Sequence, residues 1–333
     1  MIDDILTISE CGVAAVAMNA TVNTFIETKK LKLKHSKCSA IHVGKKSNSC
    51  PDLKVHGQKM HREESVKYLG DIVHKSGKSK ENTSERVVKA NAIVAEIRAI
   101  LADIPLGKYR TQVGVQLRQA MFLNGVLFNS EVWPELPATE IASLEAVDLQ
   151  LIRTICQAHA KTPKEFLYLE TGCAPLKYVI SSRRLMYLHH IVNRENTELI
   201  KRIYNTQKTN TTKGDFVELV DKDLKLLGEG VTEESMKTIS KQQLKKWIKE
   251  SINDVILNEM KEKQKQHTKT RNIEYTKFEL QEYMKDKNMS NSMVTTLFAL
   301  RSSMVRGVRG NFVSSSVRTL SATCWSVPFS CPG

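Results

Sequence analysis

Residues 65–101 read SVKYLGDIVHKSGKSKENTSERVVKANAIVAEIRAIL, and the period of their apolar residues changes partway along. Up to Gly77 apolar and polar residues alternate. That is the pattern of a half-buried strand, here entering a tight turn at Ser76 and Gly77. Beyond it, Val87, Ala90, Val94, Ile97 and Leu101 recur at helical spacing and form one amphipathic stripe. The chain is therefore expected to be extended before this point and helical after it.

Toward the amino end the extended character continues. LKLKHSKCSAIHVG (31–44) alternates apolar and basic residues as far as Gly44, and DLKVHGQKM (52–60) alternates similarly, so residues 30–78 read as β-rich. Ahead of them, residues 13–28 read as a helix. Val16, Ala20, Asn23 and Ile26 share a face, and Ala14, Ala15 and Ala17 favour the helical state. The opening MIDDILTI places Asp3 and Asp4 inside a strand-like apolar segment. A domain rarely opens on a buried strand, so the sequence reads as one that starts inside a domain.

Toward the carboxyl end the helical period persists. Pro105 and Gly107 break the first stripe, and Val113, Leu117, Met121, Asn124 and Phe128 form a second. Pro134 and Pro137 precede a third: Ile141, Leu144, Val147, Leu151 and Ile155. Three helices with short connections predict a compact helical unit. Two more helices are expected in 164–205, split by Gly172 and Pro175, and TQKTNTTKGD (206–215) reads as a polar linker. A further amphipathic helix over 239–265 carries Leu244, Trp247, Ile248, Ile252, Val255, Ile256 and Met260. From Arg301 onward there are four arginines and no acid, and a mobile tail is expected over 302–333. The fold class is α+β: a small β-rich part over 1–78, helical parts over 79–158 and 159–301, then the tail.

With 333 residues, 41% of them apolar and 26% charged, the chain can bury cores and is not a disordered polyampholyte. Glycine (15) and proline (8) are too scarce for collagen-like or low-complexity classes. No run of about 18 apolar residues exists, so no membrane span is expected. No secretory leader is expected either, because Asp3 and Asp4 fall where a leader needs a basic start and an apolar run. Seven widely spaced cysteines, an odd number, point to a reduced intracellular protein, with nucleus and cytoplasm both open. The net charge of +14 calls for a polyanionic partner, nucleic acid or an acidic membrane surface, and charge alone does not choose between them.

Two motifs could carry chemistry. Asp3 and Asp4 would face opposite ways on a flat strand, but at a hairpin their carboxylates can approach each other. Buried together they need a cation, and Mg2+ takes carboxylate and phosphate oxygens, as at a phosphoryl-transfer site. A bare Asp-Asp pair is more often simply solvated. The second motif is the run 29–46, with seven lysines (Lys29, Lys30, Lys32, Lys34 and Lys37 among them) and no acid. Lysines suit phosphate contacts, and equally a solvated face. No Phe, Tyr or Trp lies within the run, so base stacking is unsupported there. Cys324 and Cys331 have no further Cys or His after them, so a zinc set is not expected.

The order of these features resembles the reverse transcriptase of LINE-type (non-LTR) retrotransposons, from the aspartate-pair hairpin of the palm onward. Met1, Ile2, Asp3 and Asp4 match the family's aspartate box, Lys37 and Cys38 its next block, and Tyr68, Leu69 and Gly70 its YLG block. SSRRLMYLHHIV (181–192) and FALRSSMV (298–305) are similar to segments downstream of the thumb. The resemblance implies a partial palm over 1–78, a thumb-like bundle over 79–158 and a C-terminal helical region. It further implies Asp3 and Asp4 as catalytic Mg2+ ligands. Tyr68, Leu69 and Gly70 would seat the primer end, and the lysine run would hold an RNA template/DNA primer duplex, with a deoxynucleotide as the small substrate. The family's fingers and the earlier palm aspartate have no match here, and SATCWSVPFSCPG (321–333) lacks the spacing of its cysteine knuckle. The expected function is thus an RNA-directed DNA polymerase remnant, catalytically incomplete as this chain and retaining nucleic-acid binding. A non-catalytic helical nucleic-acid-binding module and a protein-interaction module docking through helix 239–265 stay open as alternatives.

Overall fold

The structure, a computed structural model, describes residues 5–44 and 51–302. Asp3, Asp4 and the tail from 303 onward lie outside the described residues. The chain divides into two compact units, the first ending at Glu85 and the second starting at Arg86. Together they bear out an α+β chain, mainly helical with a small β part near the amino end. Among the described residues, no helix is long and apolar enough to cross a membrane.

Among the described residues of the first unit, α1 (Gly12–Thr28) precedes six short strands: β1 (Ser39–Ala40), β2 (Lys54–Val55), β3 (Gln58–Lys59), β4 (His61–Arg62), β5 (Ser65–Tyr68) and β6 (Asp71–His74). β1 runs parallel to β4, while β2–β3 and β5–β6 are antiparallel hairpins. Both hairpins close through two residues of positive φ: His56 (49°) with Gly57 (78°), and Leu69 (45°) with Gly70 (89°). This is the type I′ loop, whose twist matches that of the flanking strands. Residues 65–78 are therefore not one strand running to Ser76-Gly77. The chain reverses at Leu69-Gly70 first, and Gly77 turns it again after β6, donating to the His74 carbonyl at 2.9 Å. Alternation fits a strand and a hairpin equally well, so the period could not reveal the extra reversal.

The helix α1 forms as expected, but its expected buried face does not. Ile26 is buried, whereas Val16 is 45% exposed and Val13 82% exposed. Asn19 and Asn23 both donate to the Lys54 carbonyl, at 2.8 and 2.9 Å, and so tie α1 to β2. Only Ile26 and Val55 are buried apolar residues among the described residues of this unit.

Among the described residues the second unit is built from the body of α2 (Lys80–Ala102) and ten further α-helices: α3 (Lys108–Leu117), α4 (Asn124–Val126), α5 (Ala138–Cys156), α6 (Lys164–Thr171), α7 (Leu176–Val192), α8 (Leu199–Thr209), α9 (Phe216–Leu224), α10 (Glu233–Lys237), α11 (Lys241–Gln264) and α12 (Asn291–Arg301). The first stripe buries Ala90, Val94, Ile97 and Leu101, and the third buries Leu144, Val147, Leu151 and Ile155. The second stripe holds only at its start, where Val113, Leu117 and Met121 pack half-buried against this cluster. Beyond them Phe122, Leu123, Val126 and Leu127 are buried, and Phe128 is exposed. The cause is a π-helical turn over Arg118–Leu123. A wider turn rotates every later side chain away from the 3.6-residue expectation. A second apolar cluster gathers residues of α6, α7, α9, α11 and α12, including Leu244, Ile248, Ile252, Ile256 and Met260 of α11. The apolar face of α11 is thus part of the core.

Buried charges lock this unit. The guanidinium of Arg118 donates to both oxygens of Asp148 (2.6 and 2.7 Å) and to the Ala174 carbonyl (2.8 Å). Arg184 and Ser181 both donate to Asp223 at 2.6 Å. Glu170, fully buried, accepts from the hydroxyls of Tyr275 and Tyr283 (2.6 Å each) and from Arg301 (2.8 Å). Gly172, with φ 64°, lets the chain pass so close to Glu279 and Leu280 that an added Cβ would sit 2.5 Å from a backbone carbon.

Removing one member of a buried pair leaves the other charge uncompensated. Arg118→Ala is expected to lower the unfolding free energy by about 3–5 kcal/mol in urea titrations, and pairing Arg118→Met with Asp148→Leu to recover most of the loss. Glu259 predicts a pH effect. Partial burial pushes its carboxyl up, but hydrogen bonds from Lys263, Tyr178 and Lys177 outweigh this and hold it at about 2, against an ordinary 4.5. A depressed carboxyl contributes stability above its unfolded pKa and loses it as pH falls through the folded one. Glu259→Gln should therefore destabilise the protein at pH 7 and flatten the fall in stability between pH 4.5 and about 2, as read by chemical denaturation across that range.

Candidate nucleic-acid interface

The lysine run begins where α1 stops. Lys29 caps the helix, its N–H donating to the Phe25 carbonyl at 3.0 Å, and Lys30 takes a positive φ of 52° that redirects the chain. Lys32 and Lys34 follow, then a 3-10 turn, His35–Lys37, leads into β1. The loop is anchored rather than free. The ring of His35 bonds the Lys59 carbonyl at 2.9 Å and meets the His61 ring edge-on at 5.4 Å. Cys38, partly buried, sends its thiol to the Lys34 carbonyl at 3.5 Å, and burial pushes that thiol up.

Charge on this unit is sorted. Lys59 and Arg62 both pair with Asp52, at 2.7 and 3.1 Å. The hydrogen bond from Lys59 is the main reason that the Asp52 carboxyl lies below its usual range. Lys67 pairs with Glu85, and Lys75 with Glu64. By contrast Lys29, Lys30, Lys32, Lys34 and Lys37 are all exposed, and none of the five forms an ion pair among the described residues. A backbone-anchored loop with five uncompensated ammonium groups is what a phosphate chain needs: fixed positions and no competing carboxylate. Lys78 and Lys80, likewise exposed and without an ion pair there, extend the basic character. Their signal in the sequence is KSGKSK (75–80), which the change of period in the same stretch obscured.

Tyr68, Leu69 and Gly70 lie on the β5–β6 hairpin, at and beside its tip. Gly44 links the region after the lysine loop to the far end of that hairpin, donating to the Lys75 carbonyl at 3.0 Å. The tip end of the hairpin is held by α2: Asn82 accepts from the Ile72 N–H and donates to Asp71, both at 3.2 Å. Leu69 stands out. It is 59% exposed and has positive φ, a combination that neither burial nor backbone preference favours.

Among the described residues, no group of three or more His, Cys, Asp and Glu side chains converges to hold a metal. The Mg2+ ligands expected at Asp3 and Asp4 lie outside those residues. A groove of about 310 Å³ runs between α1 and the β2–β3 hairpin, lined in part by Val16, Ala20, Asp52 and His56, with Asn19 and Asn23 committed to the Lys54 carbonyl. Comparison of the chain with protein-family profiles, with curated proteins and with solved structures found no match.

If Leu69 is kept against its backbone preference, Leu69→Asn should stabilise the hairpin, since Asn-Gly is the favoured type I′ pair. Slower hydrogen exchange of the β5–β6 amides, corresponding to about 1 kcal/mol, is the expected outcome.

Proposed function

We propose that the chain is a nucleic-acid-binding part of a non-LTR reverse transcriptase, and that residues 1–333 alone do not polymerise. The observation that carries the binding part is the distribution of charge in the first unit, where carboxylates pair with Lys59, Lys67 and Lys75 and none pairs with the five loop lysines among the described residues. The polymerase origin is supported by the order of the aspartate box, the Lys-Cys block and the YLG block. It gains support from α1, whose exposed apolar side chains are those of a helix meant to lie against a further layer. In the intact polymerase, Asp3 and Asp4 would hold Mg2+, for which carboxylate oxygens are suitable donors, and the metal would stabilise charge on the transferring phosphate. In this chain the lysine loop would bind the duplex backbone, and Tyr68, Leu69 and Gly70 would face the primer end.

A second reading keeps the binding and drops the polymerase ancestry: a helical nucleic-acid-binding module. The closed core of the second unit favours it. Codons for fingers and the earlier palm in the genomic sequence upstream of Met1 would decide for the first reading.

Two outcomes are expected. Purified protein should show no template-dependent primer extension, and synthesis would overturn the claim of catalytic incompleteness. Affinity for an RNA–DNA hybrid should fall steeply with salt, and changing Lys29, Lys30, Lys32, Lys34 and Lys37 together to Gln should lower the log–log slope by up to about 4. Absence of binding at low salt would remove the nucleic-acid reading altogether.

A further inference from the structure

The electrostatics of α11 run against what a helix prefers. Its first turn has no acid, although the N-terminal end of a helix dipole favours negative charge. Instead Lys241, Lys245 and Lys249 follow one another at i, i+4 and i+8, and like charges at that spacing repel. All three are exposed, and none forms an ion pair among the described residues. Glu279 is the acid that Lys249 influences, but its carboxylate is bonded to Lys285 at 2.9 Å. At the other end of the same helix the reverse holds. Lys263 pairs with Glu259 and Lys265 with Glu262, where the dipole already welcomes cations. In the first turns only Lys246 is paired, with Glu250 at 3.9 Å, and the row Lys241, Lys245, Lys249 has no such partner among the described residues.

The row is also rigid. Leu244, Ile248, Ile252, Ile256 and Met260 bury the adjoining side of α11 in the core, and Ser240 and Gln243 close its start with a capping box. Three lysine stems therefore rise from one fixed line about 12 Å long. That line is long enough to meet successive phosphates of one strand. A membrane surface fits less well, because an interfacial helix inserts its apolar side into lipid and here that side is occupied by the core.

We propose that Lys241, Lys245 and Lys249 form a second phosphate-binding surface, which engages the backbone of a nucleic acid independently of the lysine loop at 29–37. This inference rests on the reading that the chain binds nucleic acid. The test is a fluorescence-anisotropy titration of the full chain against a short labelled RNA–DNA hybrid, repeated between about 50 and 200 mM salt. Lys241, Lys245 and Lys249 are changed together to Gln in one variant, and the five loop lysines in another. The α11 variant should keep its helical circular dichroism and lose about 2 to 3 from the log–log salt slope. An unchanged slope in that variant, with the loop variant still reduced, would overturn this proposal alone. Failure of the unaltered chain to bind at low salt would remove both. Vesicles containing phosphatidylserine form a second arm. If the α11 variant lost vesicle binding while its hybrid slope was unchanged, the row would belong to a membrane and the proposal would fall.

Discussion

The carboxylate of Glu170 has no access to water, and its negative charge has to be met from within the protein. Tyr275, Tyr283 and Arg301 meet it, from positions 105 to 131 residues further along the chain. That demand organises the second unit. It draws the irregular stretch after α11 across α6, where Thr171 bridges Leu280 and the Gln281 N–H donates to the Glu170 carbonyl. With the stretch in place, Phe298 of α12 reaches Phe166 of α6, ring centroids 5.5 Å apart, and the apolar cluster closes. Arg118 with Asp148 and Arg184 with Asp223 repeat the principle between other helices. Such pairs are weak sources of net stability, but they penalise any packing that leaves a buried charge alone.

Among its described residues the first unit has no comparable constraint. Its links are exposed ion pairs, two tight turns and the bonds from Asn19 and Asn23, and such contacts each contribute little. Two buried apolar residues do not make a core. The same features suit it to a surface role, because lysines without carboxylate partners stay available to phosphates, and an apolar helix stays available to another layer.

How much of this was legible follows from the range of each interaction. The stripes of α2, α5 and α11 could be read because burial repeats at the helical period within a single element. The stripe of α3 and α4 could not be followed past Arg118, because a π turn leaves no mark in an apolar pattern. The hairpin at Leu69-Gly70 was hidden by Leu69, since the type I′ loop is usually signalled by Asn or Asp at that position. Glu170 with Arg301 and Arg118 with Asp148 are pairings across the fold, and no local pattern announces them. In the site, the lysine run was plain, but which lysines remain uncompensated depends on Asp52, Glu64 and Glu85, and only the fold brings these to their partners.

The central claim is that the lysine loop and the β5–β6 hairpin of the first unit meet nucleic acid. Hydrogen exchange of the full chain, read peptide by peptide with and without an RNA–DNA hybrid at low salt, tests it most directly. The account predicts slower exchange on binding across 29–37 and the β5–β6 hairpin, with the core helices α5, α6 and α7 unchanged. Saturating hybrid that leaves exchange over residues 5–85 unaltered would contradict it.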